Sequence, residues 1–217
     1  VAAAAVHQAD HAEILLGRLF AADPGLRRQM VLASKGGIVP AVPYDSSADY
    51  LVAACEASLR RLGTDHLDLF QVHRPDLLTH PAEVARALET LVASGKVRAV
   101  GVSNYTHPQV ATLVAHLQIP LASIQPEFSP LVLEPLADGT LDLAMQRRVS
   151  VLAWSPLAGG RLGDPGDDER AQRVCAELDR QAQRCGISRA AATYAWIMAH
   201  PAGIIPIVGS QQASRIR

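Results

Sequence analysis

The residues of this chain that could do chemistry come directly after short apolar runs. Each is a polar side chain at or just past the carboxyl end of a predicted strand: Lys35, His73, Asn104, Gln125, Ser155 and Ser210. A histidine in such a place can orient a ligand or exchange a proton near neutral pH. A lysine there must pair with another group or shift its pKa if it is enclosed. Taken singly, His73 is as often a hydrogen-bonded core residue, so its role depends on what the other strands place beside it.

Apolar runs that predict strands alternate along the chain with stretches of helical periodicity. The predicted strands are 30–34, 66–73, 97–102, 121–124, 149–153 and 204–208, with the end of a further strand at 1–6. The predicted helices are 11–20, 48–62, 81–95, 107–117, 136–149, 169–184 and 189–200, and loops are expected at 36–46 and 158–168.

Strands that are apolar throughout are typical of a parallel sheet covered by helices on both faces, so this alternation predicts an α/β fold. In a closed barrel the polar strand ends would meet at one mouth, where ligands bind. In an open sheet they would lie along a line, and only the point where the strand order reverses would form a site. The several strand-end side chains favour the barrel.

The composition bounds the class of protein. The chain has 217 residues, of which 49% are hydrophobic and 19% charged, so it can bury a core as one domain. A net charge of -1 argues against nucleic acid or an anionic membrane as partner and favours a small molecule. No apolar run reaches the roughly 18 residues of a spanning helix, and the start lacks a basic segment, so we expect a cytoplasmic protein.

Several common motifs are missing from the sequence. No G-x-G-x-x-G opens a helix after a strand, and neither a P-loop nor a G-x-S-x-G elbow occurs. The cysteines, Cys55, Cys175 and Cys185, form no C-x-x-C pair and have no histidine at ligand spacing, so no metal site is expected. The strand-end side chains remain as the candidate site.

Six motifs that include these residues occur in a characteristic order. They are Ser34-Lys35, LDLFQVH, SGKVRAVGVSN, IQPEFSPL, VLAWSPLAGGRL and PIVGSQQASRIR. Together they resemble the aldo-keto reductases, and most closely a bacterial branch that carries VHRPD and WSPLAGG. The resemblance implies a (β/α)8 barrel of TIM-barrel type and an NADP-dependent oxidoreductase. Such an enzyme reduces an aldehyde or ketone to an alcohol by hydride transfer from NADPH.

The resemblance also implies roles for individual residues. His73 matches the histidine that orients the substrate carbonyl, and Lys35 matches the lysine that tunes the proton donor. The residues that match those holding the nicotinamide and its carboxamide are Ser103, Asn104, Gln125 and Trp154. The residues in the segments along the pyrophosphate and at the adenosine end are Ser155, Leu157, Arg161, Gly209, Ser210, Gln212 and Arg215. Arg215 stands where the family binds the 2'-phosphate, which favours NADP(H) over NAD.

The proton donor of the family has no ordinary counterpart here. In the family an aspartate and, five positions later, a tyrosine precede a helix whose glutamate matches Glu13. Counting back from Glu13 places the tyrosine position at His7 and the aspartate position at Ala2. A histidine beside Lys35 would have its pKa pushed below about 6.5 and would mostly lack the proton to donate. His7 is therefore the candidate in the acid's place, with weakened acid catalysis.

The chain carries six clear strands where the family's barrel has eight, and it stops after the last of them. We expect a single domain over residues 1–217 that is truncated at both ends relative to the family. The alternative function is a relative with little or no catalytic activity that binds NADP(H) as a sensor or subunit. A third possibility is a Schiff base on Lys35.

Overall fold

The computed structural model describes residues 2–39 and 42–209; within these, the side chains of residues 2–10 and of Pro43 lie outside the description. The chain divides into two compact units, Val1–Ser123 and Ile124–Arg217. It passes from the first to the second within a strand, β6 (Leu121–Gln125).

The first unit begins with two helices and then alternates strands with helices. Its elements are α1 (Ala2–Ala22), α2 (Pro24–Arg28), β1 (Ala33–Gly36), β2 (Ile38–Val39), β3 (Val42–Tyr44), α3 (Ala48–Leu62), β4 (Leu67–Val72), α4 (Pro81–Ala93), β5 (Val97–Ser103) and α5 (His107–His116). β4 lies between β1 and β5 and pairs with both in parallel. The carboxyl ends of these three strands therefore lie side by side.

Local sequence explains where the helices of this unit begin and end. The Ser47 side chain caps α3 by accepting a hydrogen bond from Tyr50 N, and Gly63 ends the helix in the left-handed conformation at φ 64°. Pro81 opens α4, where the lost N–H costs nothing. The buried faces of both helices cover strands whose central residues, such as Phe70, have no exposed surface.

The second unit contains α6 (Glu134–Ala137), α7 (Thr140–Arg147), β7 (Ser150–Ala153), a 3-10 turn (Ala158–Gly160), α8 (Glu169–Cys185), α9 (Arg189–Met198) and β8 (Ile205–Pro206). β7 and β8 pair in parallel. An apolar cluster anchors α8 to the loop that follows β7, and its members are Leu131, Ala158, Leu162, Ala171, Cys175 and Leu178. The loop after β7 is thus held by packing rather than by a strand.

Three predicted elements of the first unit are wrong. The stretch 1–6 is helical from Ala2 onward, because residues 2–5 are all alanine, the strongest helix former. The strand predicted at 30–34 lies at Ala33–Gly36, which places Lys35 inside β1 instead of after it. The loop predicted at 36–46 contains the antiparallel pair β2–β3, in which Ile38 faces Tyr44.

Two predicted elements of the second unit also differ. The helix predicted over 136–149 is broken at Gly139, whose φ of 82° no helix can continue through, and it becomes α6 and α7. The strand predicted over 204–208 is only Ile205–Pro206, because Pro206 has no N–H for a ladder. A single bond from Ile207 N to Ala153 O, 2.8 Å long, extends the pairing beyond it.

Candidate active site

Lys35 and His73 lie at the ends of two neighbouring strands of the first unit. The register of β1 on β4 sets Lys35 opposite Gln71, and the backbone N–H of His73 donates to Gly36 O at 2.8 Å. Both side chains are half-buried. The side chain of Lys35 makes no hydrogen bond or ion pair with any other described residue. The parallel pairing thus brings an enclosed cation beside an imidazole.

The charges around His73 determine its protonation state. Burial, and to a smaller extent the nearby positive charges of Lys35 and Arg74, lower its pKa to about 4. His73 is therefore neutral near pH 7 and can donate one N–H to an oxygen atom. Burial also lowers the pKa of Lys35. The pair offers a neutral hydrogen-bond donor next to a lysine whose charge is destabilised by burial.

This pKa predicts how stability depends on pH. Above about pH 6.5 neither the folded nor the unfolded protein holds a proton on His73, so the stability is fully present. Between about pH 6.5 and the folded pKa of about 4 only the unfolded chain takes one up, so the free energy of unfolding falls as the pH is lowered. Urea unfolding at about pH 7.5 and about pH 5 should show a smaller loss in His73→Asn than in the unchanged protein.

The matched control for this measurement is His66→Asn. His66 precedes the opposite end of β4, and its Nδ1 lies 2.6 Å from Asp65 Oδ1. This variant removes a histidine that lies outside the candidate site. A flattened profile in His66→Asn and an unchanged one in His73→Asn would contradict the assignment.

Asn104 ties the end of β5 to the end of β4. Its Nδ2 donates to the backbone carbonyl of His73 at 3.1 Å and to Ser103 Oγ at 3.0 Å. The backbone of Asn104 has φ 61°, a left-handed conformation that asparagine tolerates better than most residues. Ser103 is buried, with 2% of its surface exposed. The structure therefore places Ser103 and Asn104 beside His73, as the sequence predicts.

A buried polar contact that sequence reasoning missed lies beneath this edge. Gln71, only 1% exposed, donates from Nε2 to Ser123 Oγ at 3.0 Å. It reaches across Gly101 of β5, where an added Cβ would lie 2.1 Å from Ser123 Oγ. Gln71 precedes His73 by two residues and so points to the same face of the strand. That alternation was the signal that could have identified it.

A cavity of about 530 Å³ opens at the same end of the first unit. Its walls are mainly apolar, but they also carry one cation, one carboxylate and the amide of Asn104. The lining residues are Val42, Tyr44, Arg74, Pro75, Asp76, Leu77, Leu78, Asn104, Thr106 and Gln109. Ligand sites of small molecules commonly have this size and this mixture of surfaces. Of these residues the sequence predicts only Asn104 as an individual site residue.

In the second unit, Trp154 follows β7 and is held by its backbone. Its N–H donates to Pro126 O at 3.1 Å, and its carbonyl accepts from Phe128 N at 3.4 Å. These bonds join the segment after β7 to the segment after β6, where Gln125 is buried with 4% of its surface exposed. Trp154 itself is half-buried. Both residues stand at strand ends, as the sequence predicts.

The loop from Ser155 to Gly163 exposes its backbone at several positions, which we call the backbone cradle. Ser155, Ala158, Gly159 and Gly160 all have positive φ, and Gly159 N donates to Ser155 Oγ at 2.7 Å. A cavity of about 690 Å³ adjoins this loop, and its lining includes Ser155, Leu157, Gly159, Gly160, Gly163, Asp164 and Gly209. A Cβ added at Gly159, Gly160 or Gly209 would meet nothing within 4 Å. A ligand can therefore approach the backbone closely here, as phosphate groups do in glycine-rich loops.

The remaining predicted site residues are placed only in part. The exposed side chain of Arg161 pairs with Asp168 at 3.4 Å and does not line the cavity. His7 lies in α1, but its side chain is outside the described residues, and so are Ser210, Gln212 and Arg215. Their roles stay predictions.

Comparison with known proteins decides the family. The family model described as "Aldo/keto reductase family" matches residues 2–217. The chain belongs to the aldo/keto reductase family. A member from Novosphingobium aromaticivorans, named 6-dehydroglucose reductase, is 56% identical over 205 residues, which are 94% of this chain and 67% of that protein.

Solved structures of other family members agree. The glycerol dehydrogenase of Gluconobacter oxydans has a TM-score of 0.85 and 27% identity, covering 95% of this chain and 70% of that one. An aldo/keto reductase of Klebsiella pneumoniae, solved in complex with NADP and acetate, has a TM-score of 0.80 and 29% identity, covering 95% and 68%. These likenesses confirm the predicted α/β fold of (β/α)8-barrel type and identify an oxidoreductase of carbonyl-reducing type. Every helix in the described part of the chain is too short or too polar to cross a bilayer.

Proposed function

We propose that this protein reduces an aldehyde or ketone to an alcohol with NADPH as the hydride donor. The observation that carries the proposal is the placement of Lys35 beside His73 at the carboxyl ends of β1 and β4. The resemblance gives His73 the role of orienting the reacting carbonyl and Lys35 that of tuning the proton donor, and the adjoining cavity of about 530 Å³ gives a substrate room to bind.

The neutral imidazole of His73 would donate a hydrogen bond to the carbonyl oxygen and hold it in place. The positive charge of Lys35 would stabilise negative charge that develops on that oxygen in the transition state. The oxygen must also receive a proton, and His7 is the candidate by its position in the sequence.

The residues of the second unit fit a dinucleotide phosphate. Ser155, Leu157 and the glycines around them form the backbone cradle, and the Klebsiella relative was solved with NADP. When bound, NADPH supplies the hydride. Ser103, Asn104, Gln125 and Trp154 would hold the nicotinamide. The pyrophosphate and adenosine ends would be held by Ser155, Leu157, Arg161, Gly209, Ser210, Gln212 and Arg215.

Titration of the purified protein with NADPH should shift the nucleotide's fluorescence, and added aldehyde should oxidise it. Arg215→Ala should weaken NADPH binding by about 30- to 100-fold, because a charge-assisted contact to the 2'-phosphate is worth about 2–3 kcal/mol. NADH lacks that phosphate, so its affinity should change little.

Arg98→Ala is the matched control, because Arg98 pairs with Asp68 and is largely exposed. No response to either nucleotide would overturn the proposal. NADPH binding without oxidation by any aldehyde would favour the sensor or subunit.

A further inference from the structure

Arg74, to which neither the family resemblance nor the proposed mechanism assigns a role, lies in the wall of the 530 Å³ cavity. Its side chain follows His73 directly and is half-buried. It makes no hydrogen bond or ion pair with any other described residue. A guanidinium carries five donors in a planar fork, so a partly enclosed one without partners has its whole binding capacity available to a ligand.

The carboxylate of Asp76 lines the same cavity but forms no ion pair with Arg74. Its Oδ1 accepts from Leu78 N at 2.9 Å, and its Oδ2 accepts from Thr79 Oγ1 at 2.6 Å and from Ser46 N at 3.2 Å. These three bonds fold the loop after β4 and fasten it to the segment before α3. The Asp76 carboxylate therefore holds the loop that forms the wall, whereas the Arg74 side chain makes no such contact with the described residues.

The charges near this strand end leave a positive surplus. Lys35 also lacks a partner among the described residues, and His73 contributes no charge near pH 7. The same wall also has apolar residues, among them Val42, Pro75 and Leu77. Cations in a partly enclosed apolar cavity attract an anionic ligand more strongly than cations in open water do.

We infer that Arg74 is a specificity-determining residue that binds an oxyanion, a carboxylate or phosphate, on the substrate at a distance from the reacting carbonyl. The inference rests on the proposed reductase function, since it assigns the carbonyl end to His73 and the anionic end to Arg74. A guanidinium fork binds both oxyanions in the same bidentate way. The substrate class is therefore an aldehyde or ketone that carries an acidic group.

Two matched pairs of aldehydes test this assignment. Butanal and 4-oxobutanoate differ by a carboxylate, and glyceraldehyde and glyceraldehyde 3-phosphate differ by a phosphate. In Arg74→Gln, kcat/KM for the anionic member of the preferred pair should fall by about 30- to 100-fold, mainly through KM, since a hydrogen bond to a charged group is worth about 2–3 kcal/mol. The uncharged members should change by less than about threefold. In Arg74→Lys, kcat/KM for the anionic aldehyde should lie between the values of the unchanged protein and of Arg74→Gln.

Arg98→Gln is the control for net charge, because it removes the same charge near the start of β5, away from the cavity. It should leave kcat/KM unchanged for both pairs of aldehydes. An equal fall for charged and uncharged aldehydes in Arg74→Gln, or no fall in either, would overturn the assignment and leave the reductase function intact.

A binding measurement separates the two proposals. Calorimetric titration with butanoate and with 1-butanol needs no turnover. Butanoate binding that Arg74→Gln weakens by at least tenfold, in a protein that reduces no aldehyde, would support the Arg74 site and overturn the reductase function. Equal affinities of the unchanged protein and Arg74→Gln for butanoate would overturn the Arg74 site, whatever the activity.

Discussion

Replacing His73 by asparagine is expected to lower kcat/KM for carbonyl reduction by about 10²- to 10³-fold, the usual cost of removing one donor that stabilises charge on a reacting oxygen. The imidazole is neutral near pH 7 because its pKa is about 4, so the protein loses a neutral N–H donor and no charge. Asparagine keeps an amide donor but is shorter than histidine, and it cannot reach the same point. The loss should appear in kcat rather than in KM, since the contact strengthens as charge develops.

Steady-state rates of NADPH oxidation with a saturating aldehyde measure this effect, and NADPH fluorescence titration measures cofactor affinity separately. The control is His66→Asn, at the opposite end of the same strand, which should keep full activity. If His73→Asn retained most of its kcat, or lost NADPH binding together with its activity, the assignment of His73 to the carbonyl oxygen would be wrong.

The parts of the fold that the sequence predicts well are those set by local rules. The cap at Ser47 and the left-handed Gly63 fix α3, and an apolar run that ends at His73 fixes β4. His73 and Asn104 are adjacent because consecutive parallel strands end at the same edge. Neither conclusion needs knowledge of distant contacts.

The parts that escape prediction depend on contacts between distant segments. Lys35 lies inside β1 because the ladder with β4 extends to Gly36, which the Gly36-Gly37 pair conceals in the sequence. The β2–β3 pair lies in a stretch that contains Pro40 and Pro43, which favour a loop in the sequence. From the sequence Arg74 is expected to be a solvated charge, and only the structure shows that it is half-buried in a cavity wall without an ion pair to any described residue.

The role of Gly101 also depends on contacts between distant segments. Its replacement by alanine has the largest expected effect on stability. A strand glycine usually weakens a sheet, so propensity alone predicts that Gly101→Ala stabilises the protein. The structure reverses that expectation, because the new Cβ would lie 2.1 Å from Ser123 Oγ, 2.7 Å from Ser123 O and 3.2 Å from Gln71 Cγ. Rotating the Ser123 hydroxyl away would relieve the first contact but break the bond from Gln71, and the carbonyl oxygen cannot move without shifting β6.

Overpacking costs about 1–3 kcal/mol and an unsatisfied buried amide about 1–3 kcal/mol more, so Gly101→Ala should lower the free energy of unfolding by about 2–6 kcal/mol. Urea unfolding monitored by circular dichroism measures the change. The matched control is Gly63→Ala, where a Cβ meets nothing within 4 Å and only the φ of 64° opposes it, so that the cost should be about 1 kcal/mol.

A double variant identifies the contact responsible. Ser123→Ala alone leaves the Gln71 amide without its acceptor, so it should cost about 1–3 kcal/mol. Combined with Gly101→Ala, it removes the 2.1 Å contact and loses no further hydrogen bond. The double variant should therefore lose less free energy of unfolding than the two single variants lose together. Strictly additive costs, or a cost of Gly101→Ala no larger than that of Gly63→Ala, would show that β5 and β6 can separate at this point. In that case Gln71 would not be fixed beneath His73 by Ser123.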